Sequence, residues 1–380
     1  IDPMIALARL ADSQGNTPAM LEWLERAREQ APTDARPHML LAEYYLRINR
    51  PATAEIHVNE AVKNAPQDNA VLAQHARVLI AQRQYNKALL QLNELISKVP
   101  ESAYARTLLG EVYLKLGQPD DARKHLQKAL EKQPASVSAL SLTAVAELQS
   151  GEHVQALAYA EQIRKIDPQL PLGHELAGNA LVGASKLEEA KSAYEAAWER
   201  KPSRELAIKL SEISARLSLR DDSIKPLIEW SSGHPDDALV LQFLGIAYQN
   251  QGDDTKAKDT YEKALAIDPE NAVVLNNLAW LYTVNNDPRG VELAERAYNA
   301  SPDHAGIQDT YGWILVQKGQ VEKGRRLLEQ AMEKLPGVAE VQYHYAVALI
   351  KTGDQKEGEK ILQRLLDSGK TFEGKEAARD

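Results

Sequence analysis

The chain has 380 residues, an apolar fraction of 44% and a formal net charge of −9 at pH 7. That acidic balance leaves no basic footprint for a nucleic acid, and no apolar run approaches the length needed to span a bilayer. Cysteine is absent, which excludes disulfides, thiol catalysis, iron–sulfur clusters and Cys-ligated zinc.

In chain order, the sequence opens Ile1-Asp2-Pro3 without an initiator methionine. This reads as a processed or truncated form, with any signal or lipid anchor of a longer parent lying outside it. Prolines then recur at Pro32, Pro66, Pro100, Pro134, Pro168, Pro202, Pro235, Pro269, Pro302 and Pro336. Every interval is 34 residues, except for 33 from Pro202 to Pro235 and from Pro269 to Pro302. Such a period marks a repeat array rather than the two or three globular domains that the length would otherwise suggest. Proline suits the boundary because it cannot continue a helix and bends the chain into the next one.

The interval from Pro235 to Pro269 is the clearest unit. An apolar stripe through Leu244, Gly245 and Tyr248 breaks at Gly252-Asp253-Asp254 and resumes at Ala257, Tyr261 and Ala264, which predicts two short amphipathic helices, A and B, joined by a tight turn. With the third residue after each proline as position 1, small residues recur at position 8 (Ala42, Ala76, Gly110, Ala144, Gly178, Gly245, Ala279, Gly312, Ala346) and at position 20 (Ala54, Ala88, Ala122, Ala156, Ala190, Ala257, Gly324, Gly358). Position 27 carries Ala27, Ala61, Ala129, Ala197, Ala264, Ala297 and Ala331. Large residues face them at position 24, among them Leu92, Leu126, Tyr194, Tyr261 and Leu328, the alternation that lets helical layers interdigitate. Gly15, Gly117, Gly151, Gly252, Gly319 and Gly353 share position 15, where a helix end needs positive φ.

Eleven units fit, the first with a compressed helix A near Ile1 and the last beginning near Ala339. Two are irregular. Between Ser203 and Pro235 one residue is missing and Pro226 lies inside helix B; between Glu270 and Pro302 one is missing around Val284–Arg289, so helix B there starts after Asp287-Pro288. These breaks divide the chain into residues 1–235 with about seven units, 236–366 with about four, and a tail, 367–380, whose Phe372, Ala377 and Ala378 suggest a short capping helix.

The period, the Gly-Tyr-Ala-Tyr-Ala-Pro offsets and the small/large alternation resemble the tetratricopeptide repeat over essentially the whole chain. The resemblance implies an all-α, right-handed superhelical solenoid and a non-enzymatic protein-binding role. Independently of it, the nine histidines are scattered, and there is no His-Glu-x-x-His, phosphate-binding glycine loop or nucleophile elbow. No enzyme, metal site or cofactor is expected.

The fold's concave surface is implied to be lined by positions 2, 5, 6, 9, 12 and 13 of helix A. In early units these positions are polar and mixed, including Arg36, Met39, Glu43, Arg47, Gln74, Arg77, Tyr104, Glu111 and Lys115. In the last four they give the candidate groove, Gln242, Phe243, Ile246, Asn276, Asn277, Trp280, Asp309, Thr310, Trp313, Tyr343, His344 and Val347, with Leu239 and Thr283 beside it. Aromatics next to amides suit an extended peptide, or a sugar chain held by ring stacking and hydroxyl hydrogen bonds. The competing reading is that Trp280 and Trp313 fill gaps between helices, since Trp is usually well buried. A chaperone-type carboxylate clamp is rejected. Asn277 sits at one matching position, but Gln242, Ile246, Gly306 and Thr310 supply none of its positive charge.

The last third carries a narrower resemblance. Asn276-Asn277-Leu278-Ala279-Trp280-Leu281-Tyr282, the linker Asn286-Asp287-Pro288-Arg289, Leu293-Ala294-Glu295-Arg296-Ala297-Tyr298, Asp309-Thr310-Tyr311-Gly312-Trp313-Ile314-Leu315 and Tyr343-His344-Tyr345-Ala346-Val347-Ala348-Leu349 occur in that order. They are similar to the C-terminal region of the exopolysaccharide-associated repeat lipoproteins of the PEP-CTERM/exosortase system, the PrsT family. That resemblance implies a periplasmic or outer-membrane-anchored scaffold for exopolysaccharide production that binds a protein or peptide partner. Direct binding of polysaccharide and a cytoplasmic adaptor or assembly factor are the alternatives.

Overall fold

A computed structural model describes residues 1–372, 374–376 and 378. Among them lie 22 α-helices and no strand. Two compact units divide the chain, Ile1–Lys201 and Pro202–Asp380. The first holds α1 (Asp2–Ser13), α2 (Thr17–Gln30), α3 (Ala35–Arg47), α4 (Pro51–Asn64), α5 (Asn69–Ala81), α6 (Tyr85–Lys98), α7 (Ala103–Lys115), α8 (Pro119–Lys132), α9 (Val137–Gln149), α10 (His153–Ile166), α11 (Pro171–Gly183) and α12 (Leu187–Arg200). The second holds α13 (Arg204–Arg216), α14 (Arg220–Gly233), α15 (Ala238–Gln251), α16 (Asp254–Ile267), α17 (Ala272–Val284), α18 (Arg289–Ala300), α19 (Ala305–Gln317), α20 (Val321–Lys334), α21 (Ala339–Lys351) and α22 (Gln355–Asp367). Odd-numbered helices are the A helices and even-numbered ones the B helices of eleven repeats. The division expected at Pro235 rests on sequence irregularity and groove composition; the boundary between the compact units falls in the sequence between repeats 6 and 7.

Eight of the eleven A helices start on a side-chain cap rather than on the proline itself; α1, α11 and α21 have none. Two residues beyond the proline, Asp34, Asp68, Ser102, Ser136, Asp237, Asn271 and His304 accept a backbone N–H of the first turn through their side chains. Ser203 does the same one residue earlier in the shortened unit. Repeat 9 confirms the late start of its B helix, with Pro288 in the N-cap position of α18. Pro226 lies inside α14, as expected.

The turn between A and B adopts the same left-handed residue in every repeat. Gly15, Gly117, Gly151, Gly252, Gly319 and Gly353 hold it at φ of 71–96°, and Asn49, Arg83, Ser185, Ser218 and Asn286 hold it in the other five at 56–61°. For an L side chain that conformation costs roughly 1–2 kcal/mol. Arg83→Gly, Ser185→Gly and Ser218→Gly are therefore each expected to stabilise their unit by about 0.5–1 kcal/mol, read as a rise in the urea midpoint. A fall at all three sites would show that the side chains hold the turn by other means.

Inside each unit, every A helix packs on its own B helix, each B helix packs on the next A helix, and successive A helices touch. This brings the A helices together on the inner side of each stack. Ala42, Ala76, Ala144, Ala279 and Ala346, and Ala54, Ala88, Ala122, Ala156, Ala190 and Ala257, are fully buried at these crossings. Where position 8 is glycine, a bulky position 24 takes the space. A Cβ on Gly178 or Gly245 would run into the rings of Tyr194 and Tyr261, and one on Gly110 or Gly312 into Leu126 and Leu328.

The tail is not a helix over its described residues. Positive φ at Gly369 and Gly374 turns the chain back, and Phe372, 8% exposed, packs its ring 5.5 Å from that of Tyr343. The repeat face left open by α21 and α22 is thus covered by a tucked aromatic. Ala378 packs against the same cluster, while Ala377 lies outside the described residues.

Candidate binding groove of the second unit

On α15, α17 and α19 the inner-face positions hold eighteen residues, from Leu239 to Gln317, of which Asp309 alone is ionisable. At the near end Leu239 is 41% exposed and Val284 53%, with Phe243, Ile246, Asn276, Asn277 and Trp280 half-buried between them. Apolar side chains this accessible on an inner face are positioned for a ligand rather than for the core.

The amides on this face are held by the repeats beneath them. Gln242 accepts a hydrogen bond from Asn271 Nδ2 at 3.1 Å, which ties the inner face of α15 to the residue capping α17. Asn277 Nδ2 donates to the hydroxyl of Tyr261 at 3.3 Å, and that hydroxyl donates to Gln249 Oε1 at 3.0 Å. Burial pushes Tyr261 up to about 12, against the opposing hydrogen bond from Asn277, so the phenol remains a neutral donor. Asn276 Nδ2 donates to Asn277 Oδ1 at 3.3 Å, while its own Oδ1 has no hydrogen-bond partner among the described residues. That unpaired oxygen is itself sheltered from solvent. Thr310 is committed to the Gly306 carbonyl at 3.0 Å.

The far end is different. Asp309, Tyr343 and His344, expected on the groove, are only 9%, 9% and 5% exposed. Asp309 on α19 meets His344 of the next A helix, with Nδ1 3.0 and 3.1 Å from the two carboxylate oxygens. Trp313 stacks on that imidazole at 4.3 Å and 16°, and also packs with Tyr343, Val347 and Phe372. In place of a continuous wall of Trp280, Trp313 and Val347, the structure separates a half-open segment around Phe243 and Trp280 from a packed aromatic cluster around Trp313. The gap-filling reading describes Trp313. The one carboxylate on the inner face of α15, α17 and α19 is paired inward, so this stretch of the face carries no free charge.

The inner face of the first unit is charged and largely self-satisfied. Arg47 pairs with Asp12, and Arg36 bridges Asp34 and Asp2. Glu111 is held above the usual carboxylate range by burial, with Lys115 and Arg77 acting against it.

Family profiles described as tetratricopeptide repeat match residues 5–69 and 107–171, 238–271, 260–289 and 315–373, together more than half of the chain. The chain belongs to the tetratricopeptide-repeat family. A profile of anaphase-promoting complex, cyclosome, subunit 3, also matches residues 49–129. Among curated proteins, this tetratricopeptide-repeat chain is similar to the photosystem I assembly protein Ycf3 of Synechococcus sp. (strain CC9311), 31% identical over 97 residues. The match covers 24% of this chain and 56% of the relative, so the chain spans about half the relative's length. Among solved structures, it is similar to the Cut9–Hcn1 hetero-tetramer of the APC/C, with a TM-score of 0.50 and 14% identity over 99% of this chain and 95% of that one. It is also similar to a thermophilic tetratricopeptide-repeat protein of Thermus thermophilus, TTC0263, with a TM-score of 0.44 and 20% identity over 47% of this chain and 98% of that one. At these identities the structural likeness concerns the fold alone. As a tetratricopeptide-repeat protein the chain is a protein–protein interaction scaffold. No described helix is long and apolar enough to cross a membrane.

Proposed function

We propose that the half-open segment of the second unit binds an extended, uncharged stretch of a partner protein. Its apolar side chains would lie on Leu239, Phe243, Ile246 and Trp280, and its backbone amides would meet Gln242, Asn276 and Asn277. The supporting observation is the combination of accessible apolar side chains and no free charge on the inner face of α15, α17 and α19. Anchors of this size dominate interface energetics. Phe243→Ala with Trp280→Ala is expected to weaken capture of the partner at least tenfold, while circular dichroism remains that of the folded protein. Unaltered capture in that double variant would put the partner elsewhere.

The sequence motifs of the last third favour a finer setting, a periplasmic or outer-membrane-anchored scaffold in exopolysaccharide biosynthesis or export, with an envelope protein as partner. The similarity to a photosystem I assembly protein favours a second reading, an assembly factor that holds a subunit while a complex forms. A third reading has the groove bind the polysaccharide itself. Titrating neutral and acidic exopolysaccharide fragments while following tryptophan fluorescence separates it from the others. A saturable change lost in Trp280→Ala supports sugar binding, and no change at millimolar sugar removes it.

A further inference from the structure

Repeats 2 and 6 lie four full periods apart and share three side chains around one crevice, formed by the B helix of the preceding repeat and both helices of the repeat itself. Glu25, Arg28 and His38 at repeat 2 correspond to Glu161, Arg164 and His174 at repeat 6. In both places the arginine and glutamate are ion-paired, at 2.6 and 2.5 Å. In both the histidine is buried, 7% exposed for His38 and 4% for His174.

The two crevices differ in what fills them. At repeat 2, His57 of α4 enters, placing its Nδ1 3.4 Å from Nδ1 of His38 and its ring parallel to Tyr45, centroids 5.3 Å apart at 3°. At repeat 6 the residue in place of His57 is Ala193, and Tyr45 and Glu60 give way to Leu181 and Ala196. A cavity of about 340 Å³ results, lined by these three residues together with His174, Arg164 and Ser192.

The state of His174 says what the cavity lacks. Its Nε2 lies 3.3 Å from the Pro168 carbonyl oxygen. A carbonyl only accepts, so Nε2 carries the proton and Nδ1 is a bare acceptor. That Nδ1 is sheltered from solvent and has no hydrogen-bond partner among the described residues. Burial lowers the affinity of His174 for a second proton, against the opposing bond to Pro168, so Nδ1 remains an acceptor at neutral pH.

We propose that the crevice of repeat 6 binds an imidazole-type N–H heterocycle, its ring taking the place that His57 fills in repeat 2 and its N–H donating to His174 Nδ1. A purely hydrocarbon ring would leave Nδ1 unpaired. A carboxylate would set acceptor against acceptor. The ring comes either as a free small molecule or as a histidine side chain of a partner protein.

The test uses the whole chain with two probes, free imidazole and N-acetylhistidine amide, followed by NMR of the His174 ring and by thermal unfolding. Expected are a saturable shift of the His174 ring resonances and a ligand-dependent rise in Tm. Both should be lost in Ala193→His, which supplies the ring internally. The reciprocal His57→Ala should acquire a second imidazole-dependent rise in Tm by opening the crevice of repeat 2. A response to free imidazole alone identifies a small-molecule site, and a response to the capped histidine identifies a side-chain site. Silence of His174 towards both probes, or an undiminished response in Ala193→His, overturns the proposal. If Ala193→His does not fold, absence of imidazole rescue in His57→Ala overturns it instead.

Discussion

Asp237→Ala is expected to destabilise the second unit by about 3 kcal/mol, the largest effect of any single carboxylate in it. Asp237 caps α15 through Val240 N–H at 3.3 Å, and its second oxygen accepts Arg204 Nε at 2.7 Å and Trp230 Nε1 at 2.9 Å. One buried side chain, 6% exposed, thereby ties α13, α14 and α15 together across the repeat that is a residue short. The parts weigh differently. Arg204 is half exposed and rehydrates when its partner is removed, so its share is small. Losing the cap costs about 1 kcal/mol, and leaving the half-buried indole N–H unpaired costs about 1–3 kcal/mol. Asp237→Asn keeps an acceptor and should cost less than half as much.

The pH dependence of this contact has a definite sign. Burial by itself raises the Asp237 carboxyl, but hydrogen bonds from Arg204, Trp230 and the Val240 N–H outweigh it and hold it below the ordinary value of 3.8. A depressed folded-state value means that the contribution is complete above the unfolded pKa and is lost as pH falls through the folded one. The gap in urea midpoint between wild type and Asp237→Asn should therefore be constant at neutral pH and close below about pH 4. A gap that widens on acidification would contradict this assignment.

Gly245→Ala is the second strong expectation, a loss of about 1–2 kcal/mol at a helical site where alanine alone would gain about 1. The new Cβ would meet the ring of Tyr261, coming within 2.9 Å of Cζ and closer still to two other ring carbons. That ring is fully buried and its hydroxyl is fixed by Gln249 and Asn277, so it cannot swing away. Repeat 3 already carries the compatible pair, Ala76 with Leu92, both fully buried. Tyr261→Leu should accordingly be less harmful in the Gly245→Ala background than alone, with a coupling of about 1–2 kcal/mol in the double-mutant cycle. Zero coupling would mean that the glycine is not there for the ring.

These two sites mark how far the sequence can be read. The period, the small positions, the six glycine turns and the late start of α18 are local patterns, and each appears where the spacing puts it. Arg83, Ser185 and Ser218 occupy the same left-handed turn without any residue-type signal, because the flanking helices impose the conformation. The Asp309–His344 pair joins residues 35 positions apart on successive A helices. A rule that lists inner-face positions repeat by repeat cannot see that two of them satisfy each other. Trp313 was legible as an inner-face aromatic but not as the lid on that pair. Over its described residues the tail does not form the expected helix, for a readable reason, the left-handed glycines Gly369 and Gly374 on either side of Phe372. The cap at Asp237 was legible as an acidic residue after a proline, yet its partners, 33 and 7 residues upstream, follow only from the packed repeat.

The central claim, an uncharged groove around Phe243 and Trp280, is tested most directly by selecting peptides from a random display library on the whole chain and measuring their affinities across sodium chloride concentrations. The account predicts sequences without net charge, a dissociation constant that changes less than about threefold between low and high salt, and at least a tenfold loss of affinity in Phe243→Ala with Trp280→Ala. Selection of acidic or basic peptides with steeply salt-dependent binding, or equal binding by the double variant, would contradict it.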